Sequence, residues 1–181
     1  MSSEQLIRNC APTLAGIKTG SLYTLHLSSG DDYRHDISVF NRFMNKKGLR
    51  IVPLKSNDDH ALIYLYRPTM LERDLEDPLA AKILKRYGYS LKGADRCVVD
   101  LVRRLKSSES FPHEIGLFLG YPPSDVLGFI NSPNTGYTDV GYWKVYSNVE
   151  NAREAFRRFR RCTEEYGRMY RSGRTLEQLV V

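Results

Sequence analysis

Apolar residues recur at three- and four-residue spacing along several stretches of the chain and alternate in others. The clearest helical stripe spans residues 33–47, where Ile37, Phe40, Phe43 and Met44 fall on one side. Asp32 supplies an N-cap for it and Gly48 a stop. A second stripe, Cys97, Val98, Leu101, Val102 and Leu105, predicts a helix over 94–106. Residues 69–87 read as helical in two pieces, the later one opening at Pro78 behind an Asp77 cap. A long helix is predicted from 148 to 170, docked through Ala152, Ala155, Phe156, Phe159 and Cys162. At the start, residues 4–9 predict a helix broken near Pro12, with a short second helix over 13–18.

The strand signals are shorter. Residues 49–54 (LRIVPL) and 61–66 (ALIYLY) flank a polar turn at 56–59 and predict a β-hairpin. Pro53 puts its strand at a sheet edge or near the strand's end. Residues 21–27 carry mixed signals and read as strand or helix, and Gly30, Asp31 and Asp32 as a turn. Strands are also predicted over 113–119 and 139–146. Between them lie a short helix, capped by Ser124 or Asp125 and running to Ile130, and a loop over 131–136. Helices and hairpins mix without a βαβ rhythm, which predicts an α+β fold: a small, mostly antiparallel sheet with several packed helices. Residues 1–175 are expected to form a single domain and 176–181 a short C-terminal tail.

Composition narrows the class. With 181 residues, 41% of them apolar and 27% charged, the chain is neither disordered nor collagen-like. Three cysteines without a CxxC pair exclude a disulfide framework and a zinc ribbon. The first ten residues hold no apolar signal core, and no run approaches the ~18 apolar residues of a membrane span. The expectation is a cytoplasmic protein with no membrane insertion. The net charge of +6 is unevenly placed. Residues 148–174 hold eight arginines against four glutamates, so most of the excess belongs to the C-terminal helix.

Three stretches are more idiosyncratic than folding demands. They are CAPTLAGIK (10–18), FPHEIGLFLGYP (111–122) followed by DVLGFI (125–130), and GYWKVY (141–146). In this order and near these separations they resemble a bacterial family catalogued as domain of unknown function 3793. The likeness runs from Cys10 to the helix around Cys162. The resemblance implies a small bacterial single-domain protein and supplies no catalytic residues.

Two chemistries compete for these residues. A cysteine at a helix N-terminus has a lowered pKa and free N–H groups for an oxyanion, which makes Cys10 a candidate nucleophile. His113, opening a strand, is its candidate base, with Asp125 or Asp139 to orient it. The segment from His113 also looks like the His-Val-Gly-Ile-Tyr strand of papain-like amidases and peptidases. This chain has Cys-Ala-Pro where those enzymes carry Cys-Ser-Gly. The concrete reading is thus a papain-like thiol hydrolase or transferase, set against a plainer one in which Cys10 is a buried hydrophobe.

The alternative is a non-enzymatic binding or regulatory protein for an anionic ligand, RNA or an acidic partner. Its candidates are Arg157, Arg158 and Arg161 on the basic helix, and Tyr142, Lys144 and Tyr146 on one strand face beside Tyr121. On that strand Trp143 and Val145 share the opposite face. Lys18, in a Lys-Thr-Gly-Ser stretch that echoes only the tail of a phosphate loop, is a further binding candidate. No metal is expected, because His26, His35, His60 and His113 are scattered. No cofactor is expected either, since neither nucleotide-binding glycine motif is present.

Overall fold

A computed structural model describes residues 1–28, 30, 32–107 and 110–181. Its centre is a three-stranded antiparallel sheet in which β3 (His60–Tyr66) lies between β1 (Gly20–His26) and β2 (Arg50–Ser56). Strand β3 is covered on both faces. Ala61, Ile63 and Leu65 enter one core, while Tyr64 and Tyr66 enter the other. That is why its sequence is almost continuously apolar and not alternating. Pro53 sits in edge strand β2, where the register shifts between Pro53 and Lys55. A proline there costs the sheet no central hydrogen bond.

Each face of the sheet carries its own layer of helices. The first core is closed by α1 (Ser3–Leu14), α2 (Tyr33–Met44) and the end of the long α8 (Val149–Arg171). The second is closed by α3 (Pro68–Leu75), α4 (Pro78–Arg86), α5 (Ala94–Ser107), α6 (Ile115–Phe118) and α7 (Pro123–Asn131). Tyr64 fastens α6 to the sheet: fully buried, it stacks on Tyr66 and donates through its hydroxyl to the Phe118 carbonyl at 2.5 Å. A small hairpin of β4 (Asp139–Val140) and β5 (Lys144–Val145) rests on α8 through Val145, Trp143 and Phe156. The fold is α+β, and the segment of mixed signals at 21–27 is strand as far as His26.

Four expectations change. Helix α1 continues through Pro12 to Leu14, without a break and without a second helix. Pro12 lies in the last turn, and the buried stripe Leu6, Ile7, Cys10, Ala11 and Leu14 holds the helix together across it. Residues 113–119 form a turn and one helical turn instead of a strand. There the buried carboxylate of Glu114 accepts from Arg104 at 2.6 Å and from the Tyr89 hydroxyl at 3.1 Å, which draws the backbone inward. The stretch 139–146 is not one strand: it turns at residues 141–143 and pairs back on itself, with Gly141 seated against the Phe156 ring, 2.2 Å from where a Cβ would stand. Finally, residues 176–181, expected as a short C-terminal tail, pack against the domain. A short α9 (Leu176–Leu179) buries Leu179 in the first core beside Val180, and the Val181 carbonyl accepts from Arg67 at 2.7 Å. Asp31, predicted in the turn before α2, lies outside the described residues.

Candidate ligand site

The site starts from Asp125. Pro122 and Pro123 open α7, and Asp125 in its first turn points inward with 1% exposure. Its carboxylate accepts from Trp143 Nε1 at 2.7 Å, Tyr146 N at 2.9 Å, Ser147 N at 2.8 Å and Ser147 Oγ at 2.7 Å. Four donors and a helix N-terminus satisfy a buried carboxylate without a cation. The result is mechanical: segment 143–147 is pinned to α7 and the indole of Trp143 is held in one orientation. Gly128 permits the close approach, since a Cβ there would lie 2.4 Å from the Tyr146 ring.

Beside this clamp lies a largely apolar cavity of about 350 Å³. Phe111, Leu119, Tyr121, Val126, Phe129 and Trp143 form its walls, and His113 and Lys144 supply polar groups. Tyr121 and Trp143 lie 4.8 Å apart with their rings tilted by 31°, and His113 meets Phe129 edge-on at 5.0 Å. Lys144 Nζ donates to the Pro133 carbonyl at 2.6 Å and sits over Tyr137 at 4.6 Å and Phe129 at 5.6 Å. Among the described residues Lys144 makes no ion pair with a carboxylate. Apolar walls with a few convergent polar groups are the usual make-up of a small-molecule site.

Behind Tyr121 is a second lysine. Gly16, with φ of +69°, turns the chain at the end of α1, and Ile17 N and Lys18 N both donate to the Pro12 carbonyl at 2.9 and 3.1 Å. This folds Lys18 back into the protein at 7% exposure. Its ammonium donates to the Gly20 carbonyl and lies 5.2 Å from the Tyr121 ring centre. No carboxylate pairs with it among the described residues. Burial lowers the Lys18 pKa to about 7, against a smaller upward pull from Cys10. Next to it Lys18 borders a cavity of about 180 Å³ with Arg8, Ser21, Tyr142 and Thr163. Leu119 and Tyr121 are common to both cavities, so the two lysines serve opposite sides of one wall.

The predicted residues are distributed as follows. Cys10 is in the middle of α1 and wholly buried, so it has no helix N-terminus to activate it. Burial pushes its thiol up to about 12, although Lys18 and the Ser21 hydroxyl pull the other way. Its neighbours are thus Lys18 and Ser21, in the first core, while exposed His113 borders the aromatic cavity of the second. The premises of the Cys10–His113 pair are therefore corrected. Asp125 positions Trp143 and the following turn, as described. Asp139 binds Arg153 at 2.5 Å, and that hydrogen bond lowers its pKa.

Tyr142, Lys144 and Tyr146 do not share one face, because the strand breaks between its two paired ends. Lys144 and Tyr146 both meet Tyr137, whereas Tyr142 turns to Phe156 and Phe159 of α8. On α8, Arg157 and Arg160 border an open groove of about 700 Å³ together with Asp139, Val140, Tyr142 and Arg153. Arg158 and Arg161 are exposed on the helix and do not line that groove. Phe111 and Phe129 went unnoticed as site residues; their only signal was membership of the unusual 111–122 and 125–130 stretches.

Among the described residues no group of three or more His, Cys, Asp or Glu could hold a metal ion. No helix among them is long and apolar enough to cross a membrane. No curated protein and no solved structure matches the chain. Residues 6–180 match the family described as "Protein of unknown function (DUF3793)". A match over nearly the whole length means that this protein belongs to that family.

Proposed function

We propose that this protein binds a small, flat, largely aromatic molecule carrying an acidic group, in the cavity between α7 and the 141–147 segment. The observation that carries this reading is Lys144: an ammonium at an aromatic cavity, bonded to a carbonyl and lacking a carboxylate partner among the described residues. An incoming carboxylate or sulfonate supplies the missing charge, and the rings of Tyr121, Phe129 and Trp143 take its flat body. His113 lies within the same wall and adds a second polar contact.

Trp143 is the sole tryptophan, so its fluorescence reports directly on the site. Titration with 8-anilinonaphthalene-1-sulfonate is expected to change that emission saturably. Lys144→Met is expected to weaken binding about tenfold, roughly the value of one charge-assisted hydrogen bond. Unchanged Trp143 emission, or equal affinity in the variant, sinks the reading.

A second reading rests on the α8 groove, where Arg157 and Arg160 make no ion pair among the described residues. It expects affinity for an anionic polymer that falls steeply with salt and with Arg157→Ala and Arg160→Ala. Binding of poly(U) that is absent or insensitive to salt removes it.

A further inference from the structure

We infer that Lys18 is a reactive amine that condenses with a small 2-oxo acid or aldehyde acid in the cavity on the α1 side of Tyr121. This site is separate from the aromatic one and needs no ligand there. A lysine at 7% exposure is ordinarily paired with a carboxylate, and none pairs with Lys18 among the described residues. Its hydrogen bond to the Gly20 carbonyl is also compatible with a neutral amine. The side chain is not sealed in a dry core either. It borders a cavity of about 180 Å³, room for several water-sized groups at ~30 Å³ each.

The wall of that cavity suits a short acid. Arg8 is exposed, forms no ion pair among the described residues, and stands at the same cavity. It can take a carboxylate by two parallel hydrogen bonds. Ser21 and Thr163 contribute hydroxyls, and the Tyr121 ring covers the amine. The groups facing Lys18 are Cys10 from α1, Ser21 from β1 and Tyr121 from the turn after α6; Arg8 and Tyr142 stand across the cavity. None of these is a carboxylate that would hold the ammonium charged. Desolvation favours the neutral, nucleophilic amine near pH 7.

In the step, the Lys18 nitrogen lone pair adds to the carbonyl carbon and one amine proton passes to the carbonyl oxygen. The resulting hydroxyl takes the second proton and leaves as water, and a C=N bond joins Lys18 to the ligand. No oxidant or reductant is consumed.

The test is reductive trapping of the native, full-length protein with glyoxylate and sodium cyanoborohydride, followed by peptide mass spectrometry. Lys18 is expected to gain a carboxymethyl group at least tenfold faster than any surface lysine at pH 7. Its labelling is expected to reach half of its maximum near neutral pH, where exposed lysines are still rising. Arg8→Ala is expected to slow trapping of glyoxylate about tenfold and leave trapping of acetaldehyde unchanged. Labelling of Lys18 no faster than the surface lysines, or only in urea, overturns the reactive amine. Equal trapping of both carbonyl compounds, with no effect of Arg8→Ala, overturns the acid. The Trp143 titration answers independently, so failure of either site is distinguishable from failure of the other.

Discussion

Lys18 and Lys144 stand on opposite sides of the wall made by Tyr121 and Leu119, and they make an instructive pair. Each donates to a backbone carbonyl, lies over an aromatic ring and has no carboxylate partner among the described residues. They differ in burial. Lys18 is almost wholly enclosed by α1, β1 and the turn after α6, while Lys144 is half-exposed on a two-residue strand. The Lys144 ammonium keeps far more of its hydration than the Lys18 ammonium, which meets water only through its small cavity. The same side chain thus suits electrostatic recognition at the rim and nucleophilic chemistry in the interior.

The contrast breaks most severely at the clamp that builds the Lys144 side. Asp125→Ala leaves the Trp143 indole and the Tyr146 and Ser147 amides without their acceptor. A loss of at least ~3 kcal/mol is expected in urea unfolding, at ~1–3 kcal/mol per unpaired buried donor, together with loss of the saturable Trp143 signal. A change below ~1 kcal/mol would mean that water replaces the carboxylate and that Asp125 is no clamp.

On the buried side, Lys18→Met is expected to stabilise the protein. The unfolded chain keeps the Lys18 proton up to ~10.4, whereas the folded chain releases it at about 7. Between those values the unfolded state binds more protons, so stability rises with pH, and the penalty is complete below about 7. Cys10 acts in the opposite sense: its folded pKa is raised to about 12, so its contribution is full below ~8.5 and is lost above that. The clean window is therefore pH 7 to ~8.5. Chemical denaturation is expected to show wild-type stability climbing through it, and a flat profile with roughly 2 kcal/mol or more gained at pH 6 for Lys18→Met. A falling wild-type profile in that window contradicts the buried, uncharged amine.

A smaller effect is expected at Cys10. Cys10→Ala removes one buried sulfur and is expected to cost about 1–2 kcal/mol. In the native wild type, iodoacetamide should reach this thiol no faster than the protein opens. Rapid native labelling that His113→Ala slows would restore the activated pair. The smallest effect is at the rim. Lys144→Met is expected to shift stability by no more than ~0.5 kcal/mol, so a larger drop in the melting temperature would make Lys144 a structural residue.

Much of this architecture is readable in the chain. The stripes of α2, α5 and α8, the Asp77 cap and the Pro53 edge strand follow from local spacing and local backbone chemistry. The site is legible only in pieces: Tyr121 and Lys144 fall in one tyrosine–lysine group, Asp125 among the candidate orienting acids and Lys18 in an echo of a phosphate loop. Asp125 was expected to cap or orient, and what it orients is an indole 18 residues away. Spacing along the chain carries no sign of such a contact.

The stretch after Phe111 shows the limit most clearly. HEIGLFLG reads as a strand from its sequence, but residues 114–119 are buried on all sides, which erases the periodic signal that separates strand from helix. The long-range bonds of Glu114 to Arg104 and Tyr89 decided the matter. Local sequence therefore determined the helices with one wet face, the hairpin and the concentration of arginine on α8, because each depends on neighbours within a few residues. Tertiary structure alone decided that Cys10 is interior, that Lys18 pairs with no carboxylate among the described residues and that Lys144 stands across the same wall. Those properties depend on burial, and burial is set by which distant segments arrive.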